Sequence, residues 1–451
     1  MTELELAERA LAHAGGDAQV NVVRERSLHA RFARSAPTQL TQIDDLEVQV
    51  TVLRDGQPGA ATTNRLDDDS LRDAAARATA AAEAAAAAGP GDHPGLAPPA
   101  AYRAHPGFDA ATAALDPGAA ADALRTAFGV AADAGAEAFG TWTAAEVRTA
   151  IASSTGLRAQ DAVTDAFMKV VARDADGRSG MATAAGVAAL AIDAEDVARR
   201  AAALLPRGPL QELGPGTYPV VLGAEAMGTL LAFLAGLAFN GMAHAEERGA
   251  LHGRLGTRVA APGINLSDSP RFTGTLPRAF DADGVPKAPM PLIQDGVAHA
   301  VVHDLRSAAR AGGGARSTGH AVAAGGSPWG PEPTNLVLIG GGAADEAELA
   351  RPIERGLFVN RLWYVNPVRE KETLLTGVTR DGTHLIEDGE ITRPVRDVRF
   401  TDSVLGLLER VQALGARSRL ISDAEFYGRR FATGVVCPPV RASSLRINGG
   451  A

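Results

Sequence analysis

The residues in this chain whose chemistry could be catalytic are few and scattered. His244 and His252 flank Glu246 and Glu247. Ser317-Thr318-Gly319-His320 follows Gly312-Gly313-Gly314, Thr376-Gly377 lies further on, and the one cysteine, Cys437, sits in Val435-Val436-Cys437-Pro438-Pro439. Imidazole and carboxylate together can hold zinc and activate water. The two histidines are eight residues apart, about 12 Å along a helix, whereas two nitrogens on one zinc lie only ~3–4 Å apart. They cannot share a metal on one continuous helix; that would take a break at Gly249 folding His252 back. The spacing predicts a solvated helix tail with Glu246, Glu247 and Arg248 facing water, and no metal ligand in this chain.

The glycines and hydroxyls around Ser317 support two readings. Small residues let a peptide backbone approach and hydrogen-bond, and the same residues make local turn bonds. On the first reading Ser317, Thr318, Gly319, His320, Thr376 and Gly377 are substrate-binding residues; on the second they are turn residues. Asp281, Asp283, His303 with Asp304, and Glu390 read as turn or surface positions. Gly340-Gly341-Gly342 lacks the lysine of a phosphate-binding loop, and the Ser-x-x-Lys and Gly-x-Ser-x-Gly patterns of serine hydrolases are absent. The sequence shows no catalytic set of its own.

The elements that would position these residues follow from periodicity. Tyr218 to Leu222 reads as a strand, and Ala224 to Phe239 as a helix apolar around its whole circumference, hence buried. Its apolar run of about 14 residues is shorter than the ~20 that cross a bilayer. Upstream, residues 3–14 read as an amphipathic helix. Leu28 to Phe32 and Leu46 to Val52 alternate as half-buried strands, and Asp55-Gly56 turns into a strand over 60–63. Asp67 caps a helix to about Ala88, and residues 89–107 form a Pro/Gly loop. A helix over 119–134, strands over 141–153 and 162–173, and a helix from Asp193 to about Leu205 follow. Pro206-Arg207-Gly208-Pro209 marks a boundary. Beyond it, closely spaced turn signals point to antiparallel sheets or a barrel. Residues 301–311 read as strand passing into helix, 336–339 as a strand, and 345–353 as a surface helix. The expected fold is α+β. Residues 1–208 form a domain of antiparallel strands with packed helices. Residues 209–451 form a mostly antiparallel β, barrel-like domain with a buried central helix.

A chain of 451 residues that is 46% hydrophobic has material for two or three cores. Its net charge of −9, without a basic block, excludes nucleic acid or an anionic membrane surface as the main partner. Met1-Thr2-Glu3-Leu4-Glu5 lacks the form of a secretory signal, and a single cysteine forms no intrachain disulfide. Both point to the cytoplasm.

A set of landmarks in order gives the chain a resemblance to the TldD/PmbA family. They are Gly249-Ala250-Leu251, Gly253-Arg254-Leu255-Gly256, Phe280-Asp281-Ala282-Asp283-Gly284, Ser317-Thr318-Gly319-His320-Ala321, Leu375-Thr376-Gly377, and Leu385 to Ile391. In that family one subunit, of TldD type, carries a zinc-binding His-Glu-x-x-x-His on the helix equivalent to 224–239. Those positions fall near Ala232, Phe233 and Leu237, so the chain resembles the TldE (PmbA) type that lacks the zinc motif. The resemblance implies no cofactor in this chain, zinc in a TldD-like partner, a heterodimer, and amide cleavage in short or unfolded peptides. It leaves open an N-acyl small molecule as substrate, or a peptide-binding scaffold without hydrolysis. TldD-type subunits present a late cysteine as third zinc ligand; with the histidines missing, Cys437 reads as a buried, inert thiol.

Overall fold

The structure is a computed structural model and describes residues 1–422 and 429–450. The alternating runs early in the chain become long strands: β1 (Asp17–Ala33), β2 (Ala36–Arg54), β3 (Gln57–Thr63), β4 (Glu137–Ser153), β5 (Arg158–Arg173) and β6 (Ser179–Gly186). They form one sheet in the order β3-β2-β1-β4-β5-β6, antiparallel throughout. Side chains alternate between faces along each strand. One face is apolar and carries helices. α1 (Glu3–Leu11) and α2 (Asp68–Ala87) cover Val20, Val22, Val48, Val50 and Val52. The short α3 (Ala110–Ala113) precedes α4 (Pro117–Asp133), which with α5 (Ala194–Ala203) covers Leu28, Ala30, Phe32, Trp142 and Met168. Asp67 and Asp193 cap α2 and α5 as the sequence indicated.

The other face of this sheet is polar and buried: Gln19, Asn21, Glu25 and Ser27 on β1, Thr143 on β4 and Asp165 on β5. Residues from far along the chain satisfy it. The Arg430 backbone N–H donates to Glu25 Oε2 at 3.0 Å, and its guanidinium donates to Asp165 Oδ1 at 2.9 Å and to Thr143. Charged groups stay buried when paired and hydrogen-bonded in this way.

The rest of the chain runs β7 (Gly216–Leu222), α6 (Ala224–Ala238), α7 (Gly241–Ala245), β8 (Leu266–Asp268), β9 (Met290–Gln294), β10 (Val297–Ala298), α8 (Leu305–Ala311), β11 (Asn335–Leu338), α9 (Glu346–Ala350), β12 (Arg355–Arg369), β13 (Leu374–Glu387), β14 (Glu390–Pro394), β15 (Val398–Ser403), α10 (Val404–Glu409), β16 (Val411–Leu414), β17 (Arg419–Ile421), β18 (Gly434–Cys437) and β19 (Val440–Gly450). These strands make two sheets, β10-β9-β8-β11-β18-β17 and β12-β7-β19-β15-β13-β14. In the second, β16 joins β19, and β12 also pairs with β13, so the sheet curls back toward its own beginning. Pairing is antiparallel except for β11 with β18 and β12 with β7. Both sheets share one core with α6: Val220, Leu222, Met227, Leu231, Leu234, Leu266, Leu336, Leu357 and Phe400 belong to it. The α+β class and the central helix thus stand as expected. The β12–β13 hairpin and β19 were not legible in the alternation. No helix among the described residues is long and apolar enough to cross a membrane.

Candidate functional site

The helix α6 is buried over most of its circumference but not all of it. Thr229, Ala232, Phe233 and Gly236 stay partly or fully open, and their spacing places them on one stripe of the helix. The first three line a cleft of about 450 Å³, whose other walls include Lys169 of β5, Thr183 of β6, Glu332, and Trp363 and Tyr364 of β12. A pocket of this size suits a small ligand or a few residues of peptide.

The cleft is polar at two places. Glu332 is open to the cleft yet enclosed by its walls, and that enclosure raises its carboxyl above the ordinary range. Its Oε1 passes over Gly236, 3.5 Å from where a Cβ would stand. Glu225, in the first turn of α6, is buried and takes charge from Arg200 Nη1 at 3.5 Å and Arg419 Nη1 at 4.0 Å. On the opposite wall the Arg361 guanidinium lies 4.6 Å from the Trp363 ring centre, a cation–π contact, and pairs with Asp381. Tyr364 is 77% exposed and holds a left-handed φ of 50°. A bulky side chain in that region is strained, and such strain concentrates at functional sites. The β12–β13 register shifts between Trp363 and Asn366, and that shift aims Tyr364 outward.

Zinc does not fit α6. Ala232 and Phe233, which face the cleft, and Leu237, half-buried in the core, have no lone pair to offer a metal. Cys437 is fully buried, and its Sγ donates to the Ala224 carbonyl at 3.4 Å. Burial, then the nearby Glu225 charge, pushes the thiol well above its ordinary range, so it is not the thiolate that binds metals.

The residues singled out from sequence fall in separate places. Thr376 and Gly377 lie on β13 and do not line the cleft. The Thr376 hydroxyl donates to the Phe400 carbonyl at 2.9 Å. A Cβ on Gly377 would stand 2.9 Å from Phe400, 3.0 Å from Val365 and 3.1 Å from the Trp363 carbonyl, so glycine here lets the cleft wall settle onto β13. Ser317 to His320 are brought together elsewhere, around a buried ionic network. His320 Nε2 meets Asp268 Oδ2 at 3.0 Å, and Lys287 Nζ lies 3.6 Å from the same oxygen while donating to the Gly319 carbonyl at 3.1 Å. Asp268 Oδ1 accepts the N–H groups of Thr334 and Asn335. Lys287, His320 and the backbone donors together outweigh burial and hold the Asp268 carboxyl well below the usual range, while burial lowers Lys287 and His320. The Thr318 amide donates to the His303 carbonyl, and its hydroxyl accepts the His303 N–H at 2.7 Å. Gly319 has φ +79°, and a Cβ there would stand 2.7 Å from the Pro286 carbonyl. Gly319 and His320 border a second cavity of about 270 Å³, and Thr334 lines both it and the α6 cleft.

Two expectations need correction. Asp281 and Asp283 sit in a turn as read, closed by the Gly284 N–H on the Asp281 carbonyl, but Asp281, Asp283, His303 and Asp304 are buried and not at the surface. Asp281 accepts backbone N–H groups from Asp283, Val285 and Ala321, and burial raises the carboxyls of Asp281 and Asp283; Glu390 is exposed as read. The stretch after His244 is not a continuous helix, although Glu246, Glu247 and Arg248 face water as expected. α7 ends at Ala245, Glu247 takes a φ of 60°, and the Gly249 N–H returns to the Ala243 carbonyl at 2.8 Å. His252 thereby folds back until its ring centre is 5.6 Å from that of His244, through the break at Gly249 that the sequence left open as the alternative to a straight helix. Sequence reasoning missed Glu332, Arg278 and Lys287. One signal was available for the last: the chain has only three lysines, Lys169, Lys287 and Lys371, and the first two line the two cavities.

The α6 cleft is walled by strands of the first, all-antiparallel sheet and of the later part of the chain, and the chain belongs to a metallopeptidase family. The PmbA/TldA metallopeptidase C-terminal domain matches residues 215–449, domain 1 matches 18–82 and the central domain 109–205. A protein named a metalloprotease from Methanothermobacter thermautotrophicus is 26% identical over 293 residues, covering 63% of each chain. A metalloprotease TldD homolog from Haemophilus influenzae is 24% identical over 242 residues, 52% of this chain and 48% of its own. The matches thus span less than two thirds of either relative. The crystal structure of TldE from Thermococcus kodakarensis superposes with a TM-score of 0.85 and covers 99% of both chains at 19% identity, a likeness of fold.

Proposed function

We propose that this chain is the non-metal, TldE-like subunit of a cytoplasmic two-chain peptidase whose zinc sits on a TldD-like partner. The observation that carries this reading is the open stripe of α6. In a family of metallopeptidases, the helix that floors the cleft presents Thr229, Ala232, Phe233 and Gly236, none of them a metal ligand or a general base. The chain's own contribution is then to shape the cleft and hold substrate. Trp363 and Tyr364 offer aromatic surface at the rim, and Glu332 offers a carboxyl on the wall that can hydrogen-bond a peptide backbone. Substrates are short or unfolded peptides, since the cleft accommodates extended segments and not a folded surface.

Metal content measured on the chain purified alone, and again when co-purified with a TldD-like partner, tests this. Zinc absent alone and near one per pair is expected. Stoichiometric zinc in the isolated chain, lost on Cys437→Ala or His252→Ala, would overturn it.

A further inference from the structure

The second cavity, of about 270 Å³, lies between the polar face of the first sheet and the segments around residues 278–287, 319–324 and 429–431. Its polar lining contains a cation without a carboxylate partner. Arg278 donates from Nη2 to the Ala432 carbonyl at 2.9 Å, and its guanidinium carbon sits 3.8 Å over the Phe431 ring. No carboxylate among the described residues comes within ion-pair distance of it. The acids that could neutralise it are engaged. Asp161 is held by His105 Nε2 at 2.9 Å and the Ala279 N–H at 2.9 Å, and Asp165 by Arg430. Asp281, also on the lining, is spent on three backbone N–H groups. Gln49 adds an amide that makes no hydrogen bond among the described residues.

Protein surrounds the guanidinium, and the residue keeps its contact with solvent through the cavity. Burial lowers Arg278 to about 10, which leaves it charged at neutral pH. A buried cation in this condition is stabilised by any anion that reaches it, and guanidinium matches a planar carboxylate through two parallel N–H donors. The volume is just under the ~300 Å³ lower end of small-molecule pockets, so it takes something the size of an amino-acid residue.

We propose that this cavity is a carboxylate-binding subsite, with Arg278 as the anchoring cation and Gln49 as a second donor. It rests on the peptide-processing reading for the kind of molecule that brings the carboxylate, a peptide's C-terminus or an acidic side chain. Thr334 forms part of both walls, so a peptide in the α6 cleft has this subsite next to it.

Binding calorimetry on the whole chain tests it with three probes: Ala-Ala as the free acid, Ala-Ala as its C-terminal amide, and N-acetyl-aspartyl amide. The free acid is expected to bind about 10- to 100-fold more tightly than the amide, as a charge-assisted pair predicts, and Arg278→Gln is expected to erase the difference. Binding of the aspartyl probe without Ala-Ala would support the same subsite with a side-chain carboxylate as its ligand. Equal affinity for acid and amide, or no binding of either carboxylate probe, would overturn it in the wild-type chain, whatever the variant does to folding. Loss of peptide hydrolysis by the pair with this acid preference intact would count against the peptidase reading alone.

Discussion

Removing either charge from the Asp268–Lys287 pair should cost more than almost any other single change in the protein. Asp268 and Lys287 are 0% and 2% exposed, with 3.6 Å between Nζ and Oδ2. At an effective dielectric of about 20, two unit charges at that distance attract by roughly 4–5 kcal/mol. The desolvation of both was already incurred on folding, so deleting one leaves the other buried and uncompensated, which costs about 3–5 kcal/mol. Asp268→Asn keeps an oxygen for the Thr334 and Asn335 N–H groups but turns a neutral amide toward the Lys287 ammonium. Lys287→Met keeps the volume and strands the carboxylate with His320. Urea unfolding followed by tryptophan fluorescence should show each single variant destabilised by about 3–5 kcal/mol, and the double variant less destabilised than their sum by at least about 2 kcal/mol. Additive losses, or singles below about 1 kcal/mol, would refute the claim that these two groups neutralise each other.

Asp397 is half-buried and raised to about 6, by burial first and then by the Asp381 charge. Its folded pKa lies above its unfolded one, so its contribution is fully present below about pH 4 and is lost as pH rises through 6. Asp397→Asn stays neutral and should match the wild type at pH 4 while exceeding it by about 1–2 kcal/mol at pH 8, after a discount for partial exposure; an equal effect at both pH values would contradict this. Cys437 should resist a thiol-exchange reagent in the native chain and release one equivalent in denaturant, because its Sγ is enclosed and its thiolate disfavoured. Rapid native reaction would place it at the surface.

What could be read from sequence was local. The caps Asp67 and Asp193 and the two-residue alternation of Leu46 to Val52 specify helix starts and strand faces through neighbours in the chain, and these elements formed as expected. The β12–β13 hairpin was not legible because its end is polar and bulged, with Tyr364 at positive φ and register shifts around Asn366. Its strands are defined by each other and not by alternation. The α6 helix was read as apolar all round, which it is, but hydrophobicity does not distinguish Phe233 in a cleft from Leu234 in the core. The straight-helix spacing of His244 and His252 failed at Gly249, whose N–H closes the turn back to Ala243. The roles of Arg278 and Lys287 rest on partners far off in sequence, and no spacing rule reaches them.

Arg430 gives the first sheet a history as well as a shape. Glu25 and Asp165 on the sheet's second face receive its donors from 405 and 265 positions later in the chain. At ribosomal speeds of about 5–20 residues per second, the interval between making Asp165 and making Arg430 is roughly 13–50 s. Once α5 has been made the helix-covered face can already be dry, while on the opposite face Glu25 and Asp165 still lack the Arg430 donors. The sheet is therefore born wet on one side, in a half-docked form open to chaperones or to the wrong partner, and it closes only after residue 430 has left the ribosome.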